Sequence, residues 1–325
     1  MSNAIYANAR AKALESTLLN ADRLKRILEC ENVEDAIKIL AEINFGEGSL
    51  TSTDDFETLI LIEQKKLNEF ILNNCASTSF KNFMLLKNDF INAEGLIKAK
   101  YLKIEDSYLT GERGIFEVDK LKDIIMTDEY KKLPKTLGEA LLKCDEEFVS
   151  GKATGASIGT ILYKALYSEL YLQAKNDKNL LTIFKTQVDG VNISSALRTR
   201  NFNQAKEFFI EGGNLTLSDI KSLCEDSFDQ LKLKFKFCEN KEIVLSAIES
   251  AERNTPLSTA EKLIESFPVK FLSKQKYQTE GIIPFMLYCY YKIADLTNVR
   301  IILVGIKNKF SKEDIKSRLR DCYAG

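Results

Sequence analysis

Histidine and tryptophan are both absent from this chain. Without His, the usual acid–base group near neutral pH and the commonest metal ligand are missing. Proline is scarce, and none precedes Pro134, which leaves room for long uninterrupted helices. The cysteines, at 30, 75, 144, 224, 238, 289 and 322, are odd in number and form no Cys-x-x-Cys pair. That excludes a complete disulfide framework and any zinc spacing, and it predicts free, mostly buried thiols in a reducing cytosol. No apolar run reaches the roughly 18 residues that a membrane span requires. The longest stretches, Ile282 to Tyr291 and Ile301 to Ile306, are separated by Lys292, Asp295 and Arg300. Arg10, Glu15, Asp22 and Arg23 interrupt any early secretory signal. A formal net charge of −1 provides no basic excess, which disfavours nucleic acid as a partner.

What is present is repetition. Asp89-Phe90-Ile91-Asn92, Asp189-Gly190-Val191-Asn192 and Asp295-Leu296-Thr297-Asn298 share an Asp-x-x-Asn signature followed by an apolar residue. The asparagines lie 100 and 106 positions apart. Asn8-Ala9-Arg10 echoes Asn298-Val299-Arg300 and reads as a fourth, truncated copy. A period near 100 means a duplicated building block. At 325 residues the chain would suit two domains of roughly 150 each, but the repeat argues for three: 1–127 (with a permuted N-terminal segment), 128–230 and 231–325. Repetition of a whole small domain favours a scaffold over an enzyme, because an active site needs one copy.

The hydrophobic pattern predicts an all-α fold. Phe56, Leu59, Ile60, Leu67, Phe70 and Ile71 fall on one helical stripe. Thr136-x-x-Glu139, Ser258-x-x-Glu261 and Ser311-x-x-Asp314 each fit a capping box. Leu231 to Phe237 alternates apolar and Lys like a strand, yet helical patterns border it, so helix and loop both remain open. Each copy reads as an apolar helix, the polar signature, a second helical run, a loop and a short helix start. Leu217-Ser218-Asp219-Ile220 ends copy two and Phe310 to Ile315 ends copy three. A buried Asp or Asn must be hydrogen-bonded, which makes the signature a polar clamp within each repeat.

Other chemical-looking segments fail on inspection. Gly151 to Gly159 resembles a phosphate loop, but position 146 is Glu and Ala153 follows Lys152; the stretch reads as a connection before a helix. Gly212-Gly213 reads as a turn. Glu146-Glu147 and Asp54-Asp55 read as acids near helix starts, where they would suit the dipole. Tyr288, Tyr290 and Tyr291, mixed with Phe285 and Leu287, read as core. The basic cluster Lys307, Lys309, Lys312, Lys316, Arg318 and Arg320 reads as a solvated face, or as a contact for an acidic partner or lipid headgroups. Arg300, set among Val299, Ile301 and Ile302, requires a partner on another helix or another protein chain.

Asn298-Val299-Arg300-Ile301-Ile302-Leu303-Val304-Gly305, then Lys307, Arg318, Arg320 and Tyr323, resembles the C-terminal signature of the C-type rotor proteins of the V/A-type ATP synthases, whose eukaryotic counterpart is the d protein of the vacuolar ATPase. The opening Tyr6-Ala7-Asn8-Ala9-Arg10 is similar to that family's start. The chain departs from the family at Ile306, between Gly305 and Lys307, and at Glu94 and Ser194, where the terminal copies carry Arg300 and Arg10. The resemblance implies three similar helical domains around a pseudo-threefold axis, forming a funnel-like socket. It implies a non-catalytic rotor adapter without a cofactor, on the cytoplasmic side of the membrane, between the D and F shaft subunits and the proteolipid ring. The Asp-x-x-Asn helices are then expected to line or brace the socket, with Tyr6, Asn8, Arg10, Arg300, Lys307, Arg318 and Arg320 as further structural or interface candidates. Isolated, such a chain is expected to be a monomer. The competing reading is a general α-helical scaffold for an unrelated partner; its usual repeats of 20 to 50 residues are shorter than the period found.

Overall fold

The computed structural model describes residues 2–48, 55–105, 111–276 and 281–323. Among these the chain is helical, without a strand; an isolated bridge pairs Asn20 with Tyr323. It divides into two compact units, one of residues 1–77 with 242–325, the other of residues 78–241.

The first unit opens with α1 (Ser2–Leu14), α2 (Ala21–Leu28), α3 (Val33–Glu42) and α4 (Glu57–Asn74). The second holds α5 (Thr78–Leu102), α6 (Val118–Met126), α7 (Lys135–Val149), α8 (Gly155–Ala174), α9 (Lys178–Thr199), α10 (Phe202–Glu207), α11 (Leu217–Glu225) and α12 (Phe228–Lys234). The chain then returns to the first unit through α13 (Lys241–Glu252), α14 (Ser258–Ser273), α15 (Ile283–Lys307) and α16 (Lys312–Arg318).

Each unit is organised on long helices that are apolar around much of their circumference, as central helices must be. In the first, α15 packs against α1, α4 and α14. Phe285 is fully buried and stacks on Phe70 of α4 at 5.0 Å between ring centroids, and the edge of Tyr288 meets the same ring at 5.2 Å. In the second, α5 packs on α6 and α8, α8 on α7 and α9, and α9 on α10 and α11. Phe184 is fully buried there, with the edge of Phe83 6.4 Å away.

Local chemistry sets the helix ends. Thr154, Thr216 and Ser227 form reciprocal capping boxes with Ser157, Asp219 and Gln230. Ser311 caps α16 as its pattern predicts, accepting from the Asp314 N–H. Two expected boxes are absent. Pro134 precedes α7, so Thr136 lies inside the helix and its hydroxyl donates to Glu169 instead. Ser258 is the first residue of α14 rather than its cap. The alternating Leu231–Phe237 segment is helical: it completes α12 and continues as a 3-10 turn, Phe235–Phe237. Gly151 lies in the connection before α8 with φ +69°, and Gly212 turns the chain with φ +96°. All seven cysteines are free, but only Cys144, Cys224 and Cys289 are buried; the other four are partly exposed.

Candidate functional site

The Asp-x-x-Asn residues are buried in all three copies. Each lies mid-helix, on α5, α9 or α15, where three positions of separation bring both side chains to one face. Each Asn grips one stretch of backbone 18 to 22 residues downstream. Asn92 accepts from the Gly111 N–H at 2.7 Å and donates to the Glu112 carbonyl at 3.0 Å. Asn192 accepts from the Ile210 N–H at 2.9 Å and donates to the carbonyl of the same residue at 2.8 Å. Asn298 accepts from the Arg320 N–H at 2.7 Å and donates to its carbonyl at 3.1 Å. The amide thus does for a loop what a neighbouring strand does in a ladder: it satisfies one N–H and one carbonyl of a backbone stretch outside the helices.

The aspartates hold the next segment. Asp89 accepts from the N–H groups of Ile115 (2.8 Å) and Phe116 (3.1 Å), just before α6. Asp189 accepts from the N–H groups of Asn214 (2.8 Å) and Leu215 (3.0 Å), just before α11, and from the Asn214 and Asn240 amides. A glycine precedes each pair, and a Cβ on Gly114 or Gly213 would collide with the carboxylate. Asp295 accepts from no downstream backbone N–H among the described residues. It accepts from the Leu19 N–H at 3.0 Å, just before α2, 276 positions earlier in the chain. The third copy is therefore completed by the opposite end of the polypeptide: α16 matches α10, and α2 takes the place of α6 and α11. This corrects the register in which Leu217–Ile220 and Phe310–Ile315 end equivalent copies.

The borrowed segment fits incompletely. The Leu18 N–H, counterpart of those of Ile115 and Asn214, is spent on the Glu15 carbonyl in a 3-10 turn. Asp295 Oδ1 is left buried with no hydrogen-bond partner. Burial raises the pKa of all three aspartates. Asp89, with two backbone donors, reaches about 6, and Asp295, with one, about 7. Beside Asp295 lies an ion pair that the repeat pattern does not announce. Lys292 contacts Glu63 of α4 at 2.5 Å, both side chains being 6% exposed. Glu63 also accepts from Lys66 (2.9 Å) and the Gly46 N–H (3.0 Å). Burial alone would raise the Glu63 pKa; Lys292 and Lys66 outweigh it and bring it below the ordinary value. A Glu at an apolar helix position facing a Lys in an apolar run was the available sequence signal.

The remaining candidates separate. Arg300 is half exposed and forms a bidentate pair with Glu57 of α4, its Nη2 2.9 Å from the carboxylate, so its partner is on another helix as expected. Asn8 does not repeat the clamp: it donates to the Gly281 carbonyl at 2.9 Å, and its Oδ1 is buried without a partner. Tyr6 and Arg10 are exposed on α1. The basic cluster is partly pinned within its own unit. Lys312 pairs with Glu29 (2.7 Å) and Arg320 with Glu265 (2.7 Å), while Lys307 lies over the Phe56 ring and Arg318 over the Phe310 ring. Tyr288, Tyr290, Phe285 and Leu287 are core, whereas Tyr291 is half-buried against the Tyr323 ring. No helix among the described residues is long and apolar enough to cross a membrane.

These features position backbone and join helices. The chain is similar over 96% of its length to the A-type ATP synthase C subunit of Thermococcus kodakarensis, at 22% identity and covering 88% of that protein. It is 21% identical to the V-type sodium ATPase C subunit of Enterococcus hirae, over 97% of this chain and 98% of that one. The A-type ATP synthase C subunit of Desulfurococcus sp. is 23% identical over 96% of the chain and 89% of that protein. Residues 7–318 match the sequence profile of the ATP synthase (C/AC39) subunit, and the chain belongs to that family of non-catalytic subunits.

Proposed function

We propose that this protein is the central-stalk adapter of a V/A-type ATPase or ATP synthase. It would join the D–F shaft to the membrane proteolipid ring, on the cytoplasmic side, and pass the torque that couples ATP turnover to ion movement. In this reading residues 1–127, 128–230 and 231–325 supply three similar domains around a pseudo-threefold axis, the third completed by α2 from the first stretch, and their Asp-x-x-Asn helices brace a funnel-like socket. The observation that supports it is the clamp itself, built three times from the same two residue types and closed the third time by the chain's own N-terminal segment. A part that transmits torque needs its loops fixed to stiff helices, and paired amide bonds to the backbone supply that. It needs no metal or cofactor. The transported ion is selected elsewhere in such a complex.

Titration calorimetry of the purified chain with its matching D–F complex tests the reading. Saturable one-to-one binding is the expected result. No heat of binding, with both partners shown folded, would count against it. Asn192→Leu or Asn298→Leu variants that keep full stability and shaft affinity would remove the bracing role of the clamp.

A further inference from the structure

The alternating segment Leu231-Lys232-Leu233-Lys234-Phe235-Lys236-Phe237 has no part in the clamps. A strand would place its four apolar residues on one face. A helix turns roughly 100° per residue, so the same alternation yields two apolar faces on opposite sides. One face is used: Leu231 is fully buried and Phe235 is 2% exposed. The other stands in solvent, with Leu233 74% exposed and Phe237 87% exposed. The segment is firmly held behind this face. Ser227 caps α12, and Asn240, just beyond, donates to Thr186 at 3.1 Å. Leu233 and Phe237 are thus presented rather than frayed.

Lysines flank the exposed pair on both sides. Lys236 lies over the Phe237 ring, 5.5 Å from its centroid. Lys234 pairs with Asp219 at 3.0 Å and donates to Ser222 at 2.8 Å, and Lys232 lies at the partly buried margin. From Phe228 to Lys241 the acids are Asp229 and Glu239, against four lysines. We propose that Leu233 and Phe237, flanked by Lys232, Lys234 and Lys236, form an interfacial anchor that dips into the headgroup region of an anionic bilayer. Projecting apolar tips need no shaped pocket in a fluid interface, and the flanking cations match anionic headgroups. A protein partner would instead have to supply a complementary pocket for two separate knobs.

The absence of Trp makes the test direct. Phe237→Trp introduces a single tryptophan at the tip, which can be excited apart from the tyrosines. Its emission is expected to shift to the blue on vesicles of phosphatidylcholine with phosphatidylglycerol, and to be quenched by brominated acyl chains. Partitioning should fall roughly tenfold or more on pure phosphatidylcholine, or when K232Q and K236Q are added. Tyr163→Trp on α8 serves as the unresponsive control. Unchanged Phe237→Trp emission at all lipid concentrations, with helicity intact, would overturn the proposal. So would a blue shift that grows with protein concentration alone, which would mean a second copy covers the face. Flotation of the unmodified chain with the same vesicles gives the answer without any substitution. Bare vesicles contain neither shaft nor ring, so the result is independent of the adapter reading.

Discussion

At the scale of single residues, Asp295 is the least satisfied member of the clamp set. Its folded-state pKa is raised from 3.8 to about 7 by burial. A raised carboxyl pKa means the folded state holds a proton that the unfolded state has released. The contribution to stability is complete below about pH 4 and is lost as pH rises through about 7. Asp295→Asn should therefore flatten the pH dependence of denaturant midpoints between about pH 4 and 8, with wild type losing on the order of 2–4 kcal/mol relative to the variant across that range. A difference between the two that stays constant with pH would sink this account. Asn192 gives the complementary case. Asn192→Ala removes two hydrogen bonds and leaves the buried Ile210 N–H and carbonyl unpaired, at a cost of about 2–4 kcal/mol in urea unfolding. Gly213→Ala should also destabilise, because its Cβ would meet Asp189, whereas Gly155→Ala, with open space around it, should be neutral or slightly stabilising.

Between elements, the Glu63–Lys292 pair ties α4 to α15 inside the first unit. Its net worth is small, since desolvation offsets most of the attraction, but breaking it from one side is expensive. Glu63→Ala should cost about 3–5 kcal/mol by leaving Lys292 buried without its counter-charge. Replacing both residues by Met should recover most of that loss in the same thermal or chemical melt. A double variant as damaged as the single one would mean that the Gly46 N–H bond to Glu63, rather than the charge, is what matters.

For the molecule as a whole, the two chain ends meet in one unit. Leu19 reaches Asp295, Asn20 bridges to Tyr323, and the Tyr323 hydroxyl donates to Glu15 at 2.6 Å. Deleting residues 1–20 should leave Asp295 without a backbone donor. Hydrogen exchange in α15 should then accelerate by roughly tenfold or more, while α5 and α9, whose clamps are closed within residues 78–241, keep their protection. Uniform loss of protection along the chain would contradict this division.

The sequence by itself determined the helical class, the three signatures and their polar-clamp role, because these rest on periodicity and on the rule that buried amides and carboxylates must be paired. Ser311 as a cap and Gly212 as a turn followed from local chemistry in the same way. It did not determine which segments the clamps hold. Spacing in the chain is silent about a partner 276 positions away, so α2 as the completion of the third copy emerged only when packing brought the ends together. Thr136 and Ser258 failed as caps because Pro134 and the position of Leu257 shifted the helix starts, a decision made over one or two residues that pattern cannot resolve. Whether the alternating segment 231–237 would be buried on one face or two was likewise left to the tertiary structure. Alternation fixes the faces only once the backbone period is known, and here the Ser227–Gln230 capping box starts a helix.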